Sequence, residues 1–157
     1  MVMTSNALQP MSNEMLFRIL YVSEAARPFV RNELLALHSR ARDKNRRLDL
    51  TGLLLHKDDR FVQVLEGREP VVKQLFATIQ QDSRHRAITL LVEGGIPQRE
   101  FADWSMGFRE LQDSDLLGLY GREKPLGRAF NFDQFKADPM AGLHLLRFIR
   151  GLQLTCA

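Results

Sequence analysis

An amide interrupts the inward face of an apolar strand: Phe61-Val62-Gln63-Val64-Leu65-Glu66-Gly67 alternates as a half-buried strand does and sets Gln63 beside Phe61 and Leu65. A side-chain amide carries two donor hydrogens and one acceptor oxygen, and leaving it unpaired away from water costs about 1–3 kcal/mol. Gln63 therefore requires a hydrogen-bond network or a polar ligand inside the fold. Tyr21, Asn45, Trp104 and Met106 lie on other predicted elements, and chain order and strand alternation can bring them to one crevice. A phenol, two amides, a thioether and an indole suit a pocket for a flat, hydrogen-bonding aromatic ligand. The set contains no nucleophile–base pair and no metal-ligand constellation, so the sequence predicts neither a catalytic residue nor a metal site. His38, His56 and His144 lack metal-ligand spacing and read as surface or helix-face residues.

The elements that must position these residues follow from hydrophobic periodicity. Strands are predicted over 15–23, 51–57, 60–66, 87–93 and 104–109, and helices over 31–44 and 70–82. Asn32 is the candidate N-cap of the first helix, Pro70 occupies the first turn of the second, and Lys57-Asp58-Asp59-Arg60 reads as a hairpin turn. Trp104 and Met106 then share one face of the fifth strand. The order βαββαββ is the ferredoxin-like pattern with one added strand, an α+β fold with both helices on one face of the sheet. Leu20, Val22, Val62 and Val64 on the opposite face need a cover. Beyond a Gly- and charge-rich stretch from Asp113 to Gly127, an apolar helix candidate between Leu143 and Leu152 supplies it.

Length and composition narrow the classes. A chain of 157 residues with 45% hydrophobic content accommodates one compact domain and a short extension, leaving no room for an appended catalytic domain. The organisation read from it is a flexible segment over 1–14, a ligand-binding domain over 15–110 and a C-terminal helical extension over 111–157. One cysteine, Cys156, excludes a disulfide framework and suits a reducing cytoplasm. No stretch approaches the ~18 apolar residues that span a bilayer, so no membrane role is expected. The net charge is +3, and the cluster Arg40, Arg42, Lys44, Arg46 and Arg47 could meet phosphates or an acidic partner, although such a cluster is more often the solvated end of a helix. Without interleaved aromatic residues it does not predict nucleic-acid binding.

Five stretches resemble, in order and spacing, the motifs of the BLUF family, sensors of blue light using flavin. They are Leu20-Tyr21-Val22-Ser23, Asn45 followed by Leu50-Thr51-Gly52-Leu53-Leu54, Phe61 to Gly67, Asp82-Ser83-Arg84-His85-Arg86, and Phe101-Ala102-Asp103-Trp104-Ser105-Met106-Gly107-Phe108. The resemblance covers residues 15–110 and points to a short stand-alone member. It implies a non-covalently held flavin, FAD in the usual case with FMN or riboflavin as alternatives, inserted between the two helices. By position it implies that Asn45 bonds the pyrimidine edge and that Gln63 bridges Tyr21 and the N5/O4 edge. Leu37 and Ile79 would flank the ring, with Arg84 and His85 toward the ribityl-phosphate. The implied switch begins when light makes the flavin an oxidant and Tyr21 yields an electron and a proton through Gln63. The Gln63 amide ends rotated or tautomerised, and the change passes through Trp104, Met106 and the fifth strand to the C-terminal segment. An unidentified signalling protein or a homo-oligomer would receive it.

Taken singly, these residues have plainer readings. Tyr21 suits a core tyrosine, Asn45 a helix C-terminal cap, Trp104 and Met106 sheet packing, and Arg84 and His85 a solvated turn. Two other functions share the topology. An acyl-phosphate hydrolase would need a Gly-rich loop after the first strand, whereas Ser23-Glu24-Ala25-Ala26-Arg27-Pro28 has no glycine. An RNA-binding sheet would need exposed aromatic residues, but Phe17 and Phe61 fall on the helix-facing side.

Overall fold

A computed structural model describes residues 15–120 and 133–153. The expected flexible segment over 1–14 lies outside them, as do residues 121–132 and 154–157. The elements run β1 (Leu16–Ala25), α1 (Arg31–Arg47), β2 (Thr51–Lys57), β3 (Arg60–Arg68), α2 (Glu69–Gln80), β4 (His85–Ile96), β5 (Gly107–Glu110), α3 (Asp113–Tyr120), α4 (Asp133–Ala137) and α5 (Pro139–Gln153). The sheet order is β4-β1-β3-β2-β5; β1 pairs antiparallel with β3 and β4, β2 pairs antiparallel with β3, and β5 adds parallel to β2. This is the expected ferredoxin-like α+β sheet with one added strand.

Alternation sorts the sheet residues onto two cores. Phe17, Ile19, Tyr21, Phe61 and Leu65 pack with Leu34, Val72, Leu75 and Phe76 of the two helices. Leu20, Val22, Val62 and Val64 pack on the other face against Leu143, Leu145, Leu146 and Ile149 of α5, the cover expected of the tail. Phe17 and Phe61 are buried, which removes the stacking platform an RNA-binding sheet requires.

Local chemistry sets the turns. Asp58 and Asp59 take φ of 50° and 60°, the left-handed pair of a two-residue hairpin that matches strand twist. Asn32 is not the N-cap of α1: the helix starts at Arg31 after an extended Val30, whose carbonyl accepts the Leu34 N–H at 3.1 Å. Glu33 in the first turn favours this start, since a carboxylate complements the helix N-terminus, and Arg27 holds it at 3.1 Å. Strand β4 runs longer than expected because β1 pairs with it from Leu16↔Ile96 to Ala25↔His85. The stretch after β5 is not a bare connection. Asp115 accepts the Gln112 N–H at 3.0 Å and pairs with Arg109 at 2.7 Å, and with Leu116 buried this anchors α3.

The fifth strand begins three residues later than expected. Residues 101–106 are irregular: the Gly52 N–H donates to the Trp104 carbonyl at 3.1 Å, and the parallel ladder starts only at Leu53↔Gly107. Glycine is required at position 52, where a Cβ would run into the Val64 carbonyl.

Candidate functional site

A slot of about 490 Å³ opens between α1 and α2 above the sheet, within the size range of small-molecule sites. Every residue expected to hold the ligand lines it: Tyr21, Leu37, Asn45, Gln63, Ile79, Arg84 and His85. The side walls are apolar, with Leu37 and Ala41 on α1 facing Leu75 and Ile79 on α2, while Tyr21 and Gln63 stand at its base and Asn45 at one end. Arg40 and Lys44 also line it, so part of the basic cluster faces the slot. This distribution fits a flat ring with a polar edge and an anionic tail.

Tyr21 and Gln63 are register partners on adjacent strands and share a face, so their side chains meet by construction. The Tyr21 hydroxyl donates to Gln63 Oε1, leaving Gln63 Nε2 to donate to Met106 Sδ at 3.5 Å. All three residues are buried. Burial, reinforced by the charge on Asp82, pushes the Tyr21 phenol well above its ordinary pKa, so it is a locked proton donor. Met106 is a weak acceptor, so the Gln63 amide is held firmly at its oxygen and loosely at its nitrogen.

Asn45 reaches across from the end of α1, and its Nδ2 donates to the Ser105 carbonyl at 2.8 Å. Seven residues earlier on the helix, His38 Nε2 lies 2.7 Å from the Met106 carbonyl. Two α1 side chains thus hold consecutive carbonyls of the segment that carries Met106.

Trp104 does not join this group. Expected on one strand face with Met106, it is half-buried against the far-face core with α5, whereas Met106 sits in the helix-face core. The physical reason is the irregular backbone before Gly107, where strand alternation does not apply.

Also in the lining, Asp82 grips the Arg84 guanidinium through contacts of 2.6, 3.0 and 3.1 Å. This holds the Asp82 carboxyl down to about 2. Arg84 therefore brings a largely compensated charge, and Arg40 and Lys44 add cationic groups to the lining. His85 Nδ1 lies 3.2 Å from Ser23 Oγ, and burial lowers its pKa, favouring the neutral ring.

His56 departs from its reading as a surface residue. It shares the inward face of β2 with Leu54, is 5% exposed, and neither ring nitrogen has a hydrogen-bond partner. Its Nδ1 lies 3.9 Å from Glu110 Oε1, and burial lowers its pKa.

The far face carries a polar network that was not singled out from the sequence. Glu66, fully buried, accepts from Arg18 at 3.2 Å and from the N–H groups of Glu100 and Phe101 at 2.8 and 3.3 Å. Burial outweighs these partners and raises its pKa. Glu100 pairs with Arg18 at 2.8 Å and takes a two-pronged contact from Arg147 of α5, both bonds 2.7 Å. Strand β3, the segment before β5 and α5 are thereby joined. Among the described residues no cluster of His, Cys, Asp and Glu is arranged to hold a metal ion. No described helix is long and apolar enough to cross a membrane.

A family model described as sensors of blue light using FAD, BLUF, matches residues 16–107. The chain is 35% identical over 89 residues to the photoactivated adenylate cyclase subunit beta of Euglena gracilis, covering 56% of this chain and 10% of that protein. It is 34% identical over 115 residues to the blue light- and temperature-regulated antirepressor BluF of Escherichia coli K12, covering 73% of this chain and 27% of the relative. The chain thus spans about a tenth to a quarter of the length of these curated relatives. Among solved structures, the dark state of the BLUF protein BlrB aligns with a TM-score of 0.66 and 28% identity over 87% of this chain and 96% of that one.

Proposed function

The chain belongs to the BLUF family of blue-light sensors, and from that premise we propose that it holds a flavin between α1 and α2 and switches through Tyr21, Gln63 and Met106. The observation that carries this reading is the buried chain Tyr21 hydroxyl to Gln63 amide to Met106 thioether at the base of the slot. FAD is the flavin the family description names, and FMN and riboflavin carry the same ring.

The slot supports the assignment residue by residue. Leu37 and Ile79 form apolar walls for the ring, and Asn45, with an amide donor and acceptor, complements a pyrimidine imide. Arg84 and His85, helped by Arg40 and Lys44, flank the position of an anionic tail. When bound, the flavin supplies blue absorption and an oxidising excited state. The protein's part is a coupled donor. Because the buried Tyr21 phenol resists simple ionisation, loss of its electron must be accompanied by loss of its proton, and the Gln63 oxygen is the acceptor already in contact.

Gln63 then stores the event. Its two ends have opposite hydrogen-bonding polarity, so reversal exchanges donor for acceptor at nearly constant volume. Reversal also changes what faces Met106, whose sulfur accepts from the nitrogen in the present arrangement. Residues 15–110 act as the sensor and 111–157 as the output element, and Trp104, packed against the far-face core to which α5 contributes, belongs to transmission. The receiver is a protein partner or a second copy of the chain. No enzymatic step is assigned to these residues.

The test is an absorption spectrum of the purified protein, reconstituted with FAD if needed, in darkness and directly after blue illumination. A flavin spectrum that shifts slightly to the red and relaxes in the dark is expected. A colourless protein that takes up no flavin overturns the proposal.

A further inference from the structure

His38 lies outside the slot lining, yet its ring is tied to the segment carrying Met106. Nε2 is 2.7 Å from the Met106 carbonyl, and the ring packs on Phe108 of β5 with centroids 5.3 Å apart and planes 31° from parallel. A carbonyl oxygen only accepts, so Nε2 must carry the hydrogen, which fixes the tautomer of a neutral ring. The neighbouring carbonyl of Ser105 is held by Asn45 at 2.8 Å, but Asn45 also lines the slot and has a second task there. His38 has only the segment.

We infer that His38 is a positioning residue for the switch: through the Met106 carbonyl it holds the Met106 thioether against the Gln63 amide. The bond from Gln63 Nε2 to sulfur, 3.5 Å, is weak because a thioether is a poor acceptor. The place of the thioether is therefore set by the backbone that carries it. Without the His38 donor, the Met106 carbonyl would have to find another partner or water, and the arrangement with Met106 beside Gln63 would be less stable relative to its alternatives. The rearranged state should then persist longer after illumination. The kinetic part of this inference rests on the flavin-sensor reading.

The experiment compares wild type with His38→Leu, which removes the donor, and His38→Gln, which offers an amide donor at about the same reach without the ring. All three should bind flavin and show the light-induced red shift, since His38 does not line the slot. Dark recovery of His38→Leu should be slower by about two- to tenfold, the span that one net hydrogen bond carries, and His38→Gln should restore much of the wild-type rate. Unchanged or faster recovery in His38→Leu overturns the inference. Equal slowing in both variants also overturns it, because the ring packing on Phe108 would then be the cause. Nitrogen-15 NMR of the dark wild-type protein is independent of folding in the variants and of the photocycle. It should find His38 as the Nε2–H form with a slowly exchanging proton, and the Nδ1–H form overturns the tether. A wild-type protein without a photocycle sinks the sensor reading, whereas a normal wild-type photocycle with no effect at His38 sinks this inference alone.

Discussion

Replacing Glu100 with glutamine removes the centre of the far-face network while leaving its shape. Glu100 receives Arg147 through two bonds of 2.7 Å and Arg18 at 2.8 Å, and its carboxyl is held down to about 2, chiefly by the Arg147 hydrogen bonds. Taken at face value, a displacement from an ordinary glutamate to that level would correspond to about 3 kcal/mol. The side chain is 24% exposed and Arg147 is 41% exposed, so solvent and salt screen the interaction. About 1–2 kcal/mol is the surviving share. The sign follows from the lowered folded-state pKa: the contribution is complete above the unfolded value near 4.5 and is lost as pH falls through 4.5 toward 2. Urea unfolding followed by circular dichroism should place Glu100→Gln about 1–2 kcal/mol below wild type at pH 7, with the gap cut to about half or less at pH 3. In a chain of this size the pH 7 gap corresponds to a loss of about 2–8 °C in Tm. A gap of the same size at both pH values would refute the electrostatic reasoning and leave only a packing effect. No gap at pH 7 would mean that the network does not hold α5 to the sheet.

Gln63→Leu should retain flavin and abolish the light-induced red shift, and Tyr21→Phe should bind flavin without forming the shifted state; difference spectra check both, and a normal photocycle in either removes that residue from the switch. His56→Phe should leave stability at pH 7 unchanged or raised by up to about 1 kcal/mol, since it removes a buried ring whose nitrogens have no partners. Because His56 has a lowered folded pKa, wild type should lose stability as pH falls below about 6.5, and the variant should lose less; parallel curves in urea titrations at pH 7 and pH 5 would count against a buried neutral ring. Leu146→Ala should cost about 2–5 kcal/mol, because the side chain is fully buried between α5 and the sheet. A loss under about 1 kcal/mol by the same titration would mean that α5 is not part of the cooperative core.

The parts of the site that lie on regular strands were readable, and those on irregular backbone were not. Tyr21 and Gln63 could be brought together because alternation fixes the face and an antiparallel register fixes the partner. Trp104 and Met106 failed the same rule because residues 101–106 form no ladder, and nothing in their local pattern signals the break. His56 carried a usable signal: it follows Leu54 by two residues, so it had to share a buried face, and the lack of metal-ligand spacing said nothing about its burial. The Arg18 and Glu66 pair was also within reach, since the two are register partners on adjacent strands and share the far face. His38 left no trace, because its partner is a main-chain carbonyl that any residue would present.

The break in alternation before β5 is what allows one short segment to touch both cores. On a regular strand, residues 104 and 106 would face the same side, and the segment would report to one core only. Here Met106 enters the helix-face core beside Gln63, while two residues earlier Trp104 packs against the far-face core. The segment is pinned from three directions: His38 and Asn45 from α1, the Gly52 N–H from β2, and, through Glu100, Arg147 from α5. Completing the β2–β5 ladder backward through these residues would restore alternation and force residues 104 and 106 to one face. Either Met106 would leave Gln63 or Trp104 would leave the far-face core. Two packings of the same six residues are thus mutually exclusive, and the contact that distinguishes them at the slot, Gln63 Nε2 to Met106 Sδ, is the weakest hydrogen bond in the chain from Tyr21.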